Sequence, residues 1–533
     1  MNDLKNFSLL YPNAESEAAH YAGRGVPNIS MKELDELGLL EFLDINGRDL
    51  SSYFTIDPDV MKYRRDMFRD MLDHKDLGKM LNSIIPILSD IGELRRLEAD
   101  SGNAEDYLMS LTEIELYISS IELLRTYLVP LRSSLKSEAF STFAERIYEL
   151  SESDYYKELN IKLNELTNRV REIRSVTIGI NLDSQLRATD AGVLSINPQK
   201  FRSGDVLDKI LHIGTKNDGY TCIANLVPFS KKQSENQKTA LSLALNSAIN
   251  DVYKSSLRSW KRIVQTYVLD NTDFLLNLMP EIEFIGKATE MMRALEEKGC
   301  QLKVPNVADI DEGKFIATDL YNPCVALKIE DEVVPNDICF DNDVSIFVIT
   351  GPNRGGKSVL TCAVGIAQAM MQLGMFVPAK EATMSPVDAI FTNFPTGSED
   401  TIDKGRLGEE CARLMGIFDK ISAKSLVLLD ESLSSTGSYE ASYIAAEMLA
   451  GLSKFRCRCI FSTHLHELAS EIDSINEKST SNGGTKIDTL VAGIYDGKRS
   501  FKIVRAKPDG KSYARDIAEK YGLTYENIIK RLS

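Results

Sequence analysis

The chain has 533 residues, several times the usual domain size, so a single small module is excluded and two or more domains are expected. Its 43% hydrophobic and 26% charged residues, with only 16 prolines, exclude a disordered or fibrous chain. A formal charge of −16 excludes a body coated in basic charge for nonspecific nucleic-acid or membrane binding, although local basic patches stay open.

The stretch Met1 to Arg24 has no apolar core behind basic residues, and no long apolar run occurs elsewhere; the chain reads as neither exported nor membrane-spanning. The eight cysteines are scattered, Cys457 and Cys459 being the closest pair, and no second Cys or His pair offers zinc spacing. They read as reduced, buried thiols, which points to a cytoplasmic location. From about residue 58 to 172 apolar residues recur at three- and four-residue spacing, as in Leu108, Leu111, Ile114, Ile118, Ile121 and Leu124, which predicts helix after helix. Between Tyr155 and Ile173, Leu159, Leu163 and Leu166 share a stripe opposite Glu and Lys, the pattern of a long lever or a bundle helix.

From Ser175 to Leu226 short alternating runs broken by Gly179, Gly192, Gly204, Gly214 and Gly219 predict a small sheet-rich insertion, at about 175–230. Its cations Lys200, Arg202, Lys209 and Lys216 are no more than an ordinary surface would carry, although they could meet phosphates. Helical spacing resumes at Gln233 and runs to about Lys298, with expected interruptions at Asp270 to Asp273 and at Pro280. From about Gln301 the pattern becomes α/β: Ser345 to Thr350, Ala389 to Thr392, Ser425 to Leu429 and Cys459 to Thr463 read as buried strands of a largely parallel sheet. Ser479 to Gly484 reads as a loop.

The chemistry concentrates in this second half. Gly351-Pro352-Asn353-Arg354-Gly355-Gly356-Lys357-Ser358 fits G-x-x-x-x-G-K-[ST] between a strand and a helix predicted over Ser358 to Leu373. The glycines let the backbone wrap a polyphosphate, Lys357 reaches the β- and γ-phosphates, and the Ser358 hydroxyl binds Mg²⁺. Asp430-Glu431 ends the Ser425 to Leu429 strand and so lies at the carboxyl edge of the sheet, Asp430 serving the metal through water and Glu431 the hydrolytic water. His464 follows the next strand and can reach the same edge to sense the γ-phosphate, whereas His466 points elsewhere.

The loop TGPNRGGKS, the strand SLVLLDES and the segment STHLHEL together resemble the ATPase domain of the MutS proteins. The resemblance extends through Val334-Pro335-Asn336-Asp337, Phe376-Val377-Pro378-Ala379, Ile390-Phe391-Thr392, Gly405-Arg406, Thr436 and Tyr439, and more loosely to the helices upstream. It implies a multidomain fold. A mostly α-helical core and lever region with the insertion occupies 1–300, followed over 301–533 by an α/β P-loop ATPase domain of the MutS/ABC type with C-terminal dimerisation helices. It further implies a homodimer in which two ATPase domains complete each other's sites, coupled to a clamp on double-stranded or branched DNA. ATP and Mg²⁺ are the implied cofactors. Carried over by position, Gly351 through Val359 bind nucleotide, Ser358 and Asp430 serve the metal, Glu431, His464 and Lys357 are catalytic, and Gly405 with Arg406 form a trans element.

Three departures are visible. Lys404 and Leu407 flank Gly405-Arg406 where the family usually has serines, and Val333 and Arg505 stand where it carries aromatic or His groups beside adenine. The family's N-terminal mismatch-wedging domain is not expected ahead of the predicted helical core, the match Phe143-Ala144-Glu145 lying in a helical pattern, and the Smr nuclease tail of one branch is not expected after Lys511-Ser512-Tyr513. The expected function is a nucleotide-gated, ATP-hydrolysing dimeric clamp in DNA repair or recombination; the alternative is a nucleotide-gated protein scaffold that does not touch DNA.

Overall fold

The computed structural model describes residues 7–45, 48–101, 107–171, 175–185, 188–197, 202–203, 221–222, 269–341, 343–395, 406–495, 498–507 and 521–532. In chain order the described helices of five or more residues are α1 (Ala14–Tyr21), α2 (Met31–Glu36), α3 (Pro58–Asp73), α4 (Lys75–Ser101), α5 (Tyr107–Leu131), α6 (Glu138–Glu152), α7 (Asp154–Arg171), α8 (Leu269–Glu297), α9 (Pro323–Lys328), α10 (Lys357–Gln372), α11 (Arg406–Phe418), α12 (Ser438–Phe455), α13 (His466–Ser470), α14 (Ile472–Ser481) and α15 (Tyr525–Leu532). The strands are β1 (Ser175–Leu182), β2 (Ala188–Asn197), β3 (Asn306–Val307), β4 (Phe315–Leu320), β5 (Asn336–Phe340), β6 (Val344–Thr350), β7 (Glu381–Met384), β8 (Ile390–Asn393), β9 (Leu426–Asp430), β10 (Arg458–Ser462), β11 (Lys486–Tyr495) and β12 (Lys498–Arg505). The chain forms two compact units, one from 1–7, 79–135 and 141–279, the other from 8–78, 136–140 and 280–533.

The first unit is helical with a β-hairpin. Its core follows the three- and four-residue spacing: Ile114, Ile121 and Leu124 of α5, Phe143 and Ile147 of α6, Leu159 and Leu163 of α7 and Phe274 and Leu278 of α8 are buried. The rings of Phe7 and Phe143 stack 5.5 Å apart. Of the Phe143-Ala144-Glu145 triplet, Phe143 and Ala144 are wholly buried core residues of α6, and Glu145 is half-exposed and paired with Arg132. Strands β1 and β2 pair antiparallel from Ser175 with Asn197 to Leu182 with Ala188. Beyond them only Arg202–Ser203, paired in parallel with Thr221–Cys222, is described; Lys200, Lys209 and Lys216 lie outside the described residues.

The expected breaks at Asp270 to Asp273 and at Pro280 are not present, since α8 runs through both. Proline removes one backbone bond and strains the preceding turn, about 3 kcal/mol in an exposed helix. Here Phe284, Ile285 and Ala288 are fully buried just beyond it, and burial of that apolar face outweighs the local penalty. The expected loop at Ser479 to Gly484 is also shorter, because α14 continues to Ser481.

The second unit is α/β. Its six-stranded sheet has the order β8-β9-β10-β6-β11-β12. Every pair is parallel except β11 with β12. Strands β6, β9 and β10 are buried at every position, as their unbroken apolar runs require when both faces are covered. Val427 and Leu429 join the core beneath α12, whereas Leu428 meets α10 at Gly365 on the opposite face. A second sheet, β3-β7-β4-β5, packs beside it through contacts of β5 with β6 and β12. Among the described residues no helix is long and apolar enough to cross a membrane.

Near the start of this unit's share of α8, Glu281 is buried and accepts hydrogen bonds from Ser8 Oγ (2.8 Å) and Leu9 N (2.7 Å). Burial pushes its carboxyl up to about 7, against those two hydrogen bonds and the buried Arg64 guanidinium. The folded carboxyl therefore holds a proton between its ordinary pKa and about 7 that the unfolded chain releases, and stability falls as pH rises through that window. Glu281→Gln should remove this slope. Urea unfolding at pH 5 and pH 8 should show the wild type losing roughly 2–3 kcal/mol relative to the variant, and equal changes in both would remove Glu281 as the cause.

Candidate functional site

Strand β6 ends at Thr350, and the chain turns at once through residues 351–356 into α10. This turn needs glycine at two places. Gly351 has φ +133° and a side chain there would stand 2.8 Å from the Ala492 Cβ, while Gly356 caps α10 with φ +95°. The result aims the first turn of a 16-residue helix, with its unpaired N–H groups, into the space above the sheet. Arg354 has φ +60° as well, so the loop holds strained backbone that the surrounding packing maintains.

Lys357 begins α10 and is 4% exposed. Its ammonium donates to the carbonyls of Gly351 (3.1 Å) and Pro352 (3.2 Å) and lies 3.4 Å from His464 Nδ1. Burial lowers its pKa, and the carboxylates of Glu431 and Asp430 work against that shift. His464 Nε2 lies 2.6 Å from Glu431 Oε1. A charged Lys357 can only donate, so Nδ1 of His464 is the acceptor and Nε2 carries the hydrogen given to Glu431.

Asp430, the last residue of β9, is 7% exposed and sits beside Ser462 of β10 in the sheet register. Its Oδ1 is buried with no hydrogen-bond partner. Burial raises its pKa, the hydroxyls of Ser462 and Ser358 lower it, Glu431 raises it and Lys357 lowers it. A buried acceptor without a partner, with the Ser358 hydroxyl nearby, fits a divalent cation. No group of three or more His, Cys, Asp or Glu among the described residues could hold a metal alone, so phosphate and water oxygens would complete such a site.

The strands thus bring Lys357, Ser358, Asp430, Glu431 and His464 to one carboxyl edge, the place where open α/β sheets bind ligands. A cavity of about 450 Å³ opens there, lined by Arg354 to Val359, Glu431, Val333, Val334 and Phe501 among others. Asn353 is exposed on the loop and Pro352 buried in it. Gly405 lies outside the described residues, and Arg406 is the first residue of α11. Val333 lines the cavity but Arg505 does not: it pairs with Asp488 and lies over the Phe347 ring at 5.8 Å.

Sequence reasoning missed Glu410. It lies 8% exposed in α11 and accepts from Leu433 N (2.6 Å) and Ser435 Oγ (3.0 Å), holding the loop that follows Glu431. Glu431 and Leu433 both have positive φ, 48° and 66°, so that loop needs an external acceptor to keep its shape. The available signal was a carboxylate within the apolar stripe Leu407, Leu414 and Ile417. Phe501 was missed too.

An open parallel sheet with a glycine-rich turn into a helix, and an acidic pair two strands away, defines an α/β class whose sheet edge can cradle polyphosphate. Two family models match the chain: MutS domain V over residues 347–530 and the MutS2 N-terminal domain over 56–298. The chain is 30% identical over 232 residues to the DNA mismatch repair protein MutS of Fervidobacterium nodosum, which is 42% of this chain and 26% of that protein. It is 35% identical over 151 residues to the MutS of Prochlorococcus marinus, 28% of this chain and 16% of the relative. It is 34% identical over 173 residues to DNA mismatch repair protein spellchecker 1 of Drosophila melanogaster, 31% of this chain and 19% of the relative. The chain belongs to the MutS family. The matches span between 16% and 26% of these relatives' length.

Proposed function

We propose that the protein is an ATP-binding and ATP-hydrolysing, DNA-associated member of its family, acting in the cytoplasm as a nucleotide-gated homodimeric clamp in DNA repair or recombination. Its ATPase domain is assigned to 301–533 and its helical core and lever region to 1–300. The observation that carries this reading is the chain of contacts from Lys357 through His464 to Glu431, next to Asp430 with its unpartnered oxygen.

In this reading the 351–356 loop and the first turn of α10 bind the phosphates, and Lys357 leaves the Gly351 and Pro352 carbonyls to meet them. Ser358 and Asp430 would hold Mg²⁺, which when bound neutralises charge on the phosphate oxygens. Glu431 orients the attacking water and accepts its proton, while His464 holds the Glu431 carboxylate in place and reads the γ-phosphate through its contact with Lys357. Gly405 and Arg406 complete the neighbouring chain's site. DNA binding is assigned to the helical region, and the names of the mismatch repair relatives support it.

The test is a titration of the dimer with matched, G·T-mismatched and branched duplexes at two salt concentrations, with ATP turnover measured alongside. Phosphate contacts make affinity fall as salt rises. No wedge is assigned to the described residues, so branched duplex should bind more tightly than linear duplex and the mismatch about equally to its matched control. Clear mismatch preference would refute shape-based binding, and turnover without binding to any duplex would favour a protein scaffold.

A further inference from the structure

We infer that Phe501 is the platform on which the nucleotide's base stacks, and that this site holds adenine and guanine nucleotides alike because it grips the face of the base and not its edge. The inference rests on the nucleotide reading of the same cavity and adds the residue that receives the base.

It starts from an irregularity in the β11–β12 pairing. Ala492 faces Ile503 and Ile494 faces Arg499, so Gly493 on one strand is opposed by Ser500, Phe501 and Lys502 on the other. The surplus residues form a bulge, and Phe501 sits in it with φ +55°, a conformation an aromatic side chain rarely takes. Bulges re-aim side chains next to sites, and this one lays an apolar ring on the cavity wall. Phe501 is 46% exposed, and its Cδ1 lies 3.8 Å from where a Cβ on Gly356 would stand, directly over the phosphate loop. Val325, Ile329, Val333 and Val334 line the same cavity. A flat ring entering among these groups with its phosphates toward Lys357 has, among the described residues of the lining, one aromatic face to stack on, and that is Phe501.

The bulge is actively held. Asn336 donates from Nδ2 to the Phe501 carbonyl (3.2 Å) and to the Val334 carbonyl (3.3 Å), and its Oδ1 accepts from Ile503 N (2.7 Å). Ser500 Oγ donates to the Gly493 carbonyl at 2.9 Å, and Lys502 reaches the Pro335 carbonyl. Asn336 ties the Val334 wall to the Phe501 wall and so sets the gap between them. It is also the buried side-chain amide among the described residues of the cavity lining, and both of its N–H donors are spent on the Val334 and Phe501 carbonyls, so it has none to offer a base edge. The carboxylates of Asp331 and Glu332 at the rim are exposed and accept equally from the amino groups of adenine and guanine.

The experiment measures ATP, GTP and inorganic tripolyphosphate affinity by calorimetry for the full chain and for Phe501→Ala, Phe501→Leu and Phe501→Trp. We expect Phe501→Ala to weaken ATP and GTP alike by at least about tenfold, while tripolyphosphate binds as in the wild type. Phe501→Leu, which keeps apolar volume without a ring face, should sit between. Phe501→Trp should retain both nucleotides, and ATP should quench the added fluorescence in a chain with one natural tryptophan. Unchanged ATP affinity in Phe501→Ala, or an equal loss for tripolyphosphate, overturns the stacking role. GTP bound more than about thirtyfold more weakly than ATP overturns the tolerance for both purines. If the wild type binds neither ATP nor tripolyphosphate, the nucleotide reading itself fails and the platform falls with it.

Discussion

Glu431→Gln should lower steady-state ATP turnover by roughly 10²–10⁴-fold while leaving ATP affinity within a few-fold of the wild type. The separation follows from geometry. Glutamine keeps an oxygen where Glu431 Oε1 accepts from His464 Nε2, so the contact at 2.6 Å survives and the strained turn at φ +48° need not move. What is lost is the negative charge that, in the proposed role, polarises water and takes its proton. Lys357, Ser358 and the loop amides are untouched, so the variant should fill with nucleotide and stall. Rapid mixing with radiolabelled ATP checks this by comparing bound nucleotide with released phosphate. Wild-type turnover in the variant would remove Glu431 from the reaction.

Lys357→Ala should fail at the earlier step, with ATP and tripolyphosphate both bound about tenfold to a hundredfold more weakly. The ammonium is the buried cation of the site, and without it the charge of Asp430 and Glu431 that incoming phosphate meets is less well offset. The variant also frees the carbonyls of Gly351 and Pro352, so the loop loses the hydrogen bonds that close it. Lys357→Arg separates the two effects, because it restores charge in a shape that does not fit a buried position 4% exposed. Calorimetric titration of both variants with tripolyphosphate is the measurement, and full affinity in Lys357→Ala would show that the loop amides suffice. Together the two variants distinguish a group that holds phosphate from one that directs water.

Much of the site was legible because its elements are local. The spacing from Gly351 to Ser358 dictates a strand, a tight turn and a helix within one short stretch, and such backbone geometry depends on glycine and chain direction more than on neighbours. Unbroken apolar runs marked β6, β9 and β10 as strands buried on both faces, and a parallel sheet then brings the residues after them to one edge. Asp430, Glu431 and His464 could therefore be read together from a linear chain.

Other features depended on contacts between residues far apart in sequence. Local rules break a helix at Pro280, but the buried Phe284 and Ile285 keep α8 intact, and no window of sequence contains that packing. Glu410 looks like any carboxylate of an amphipathic helix until the fold sets it against the amide of Leu433. Arg505 and Phe501 lie on one short strand, and which of them meets the cavity turns on a bulge that shifts register by two residues. Period and glycine placement alone determined the strands, the loop and the order of the acids, because those are short-range consequences of backbone sterics. Which aromatic side chain lines the cavity, which acid braces the loop and whether a proline breaks its helix were decided only by tertiary packing, where long-range burial outweighs local preference.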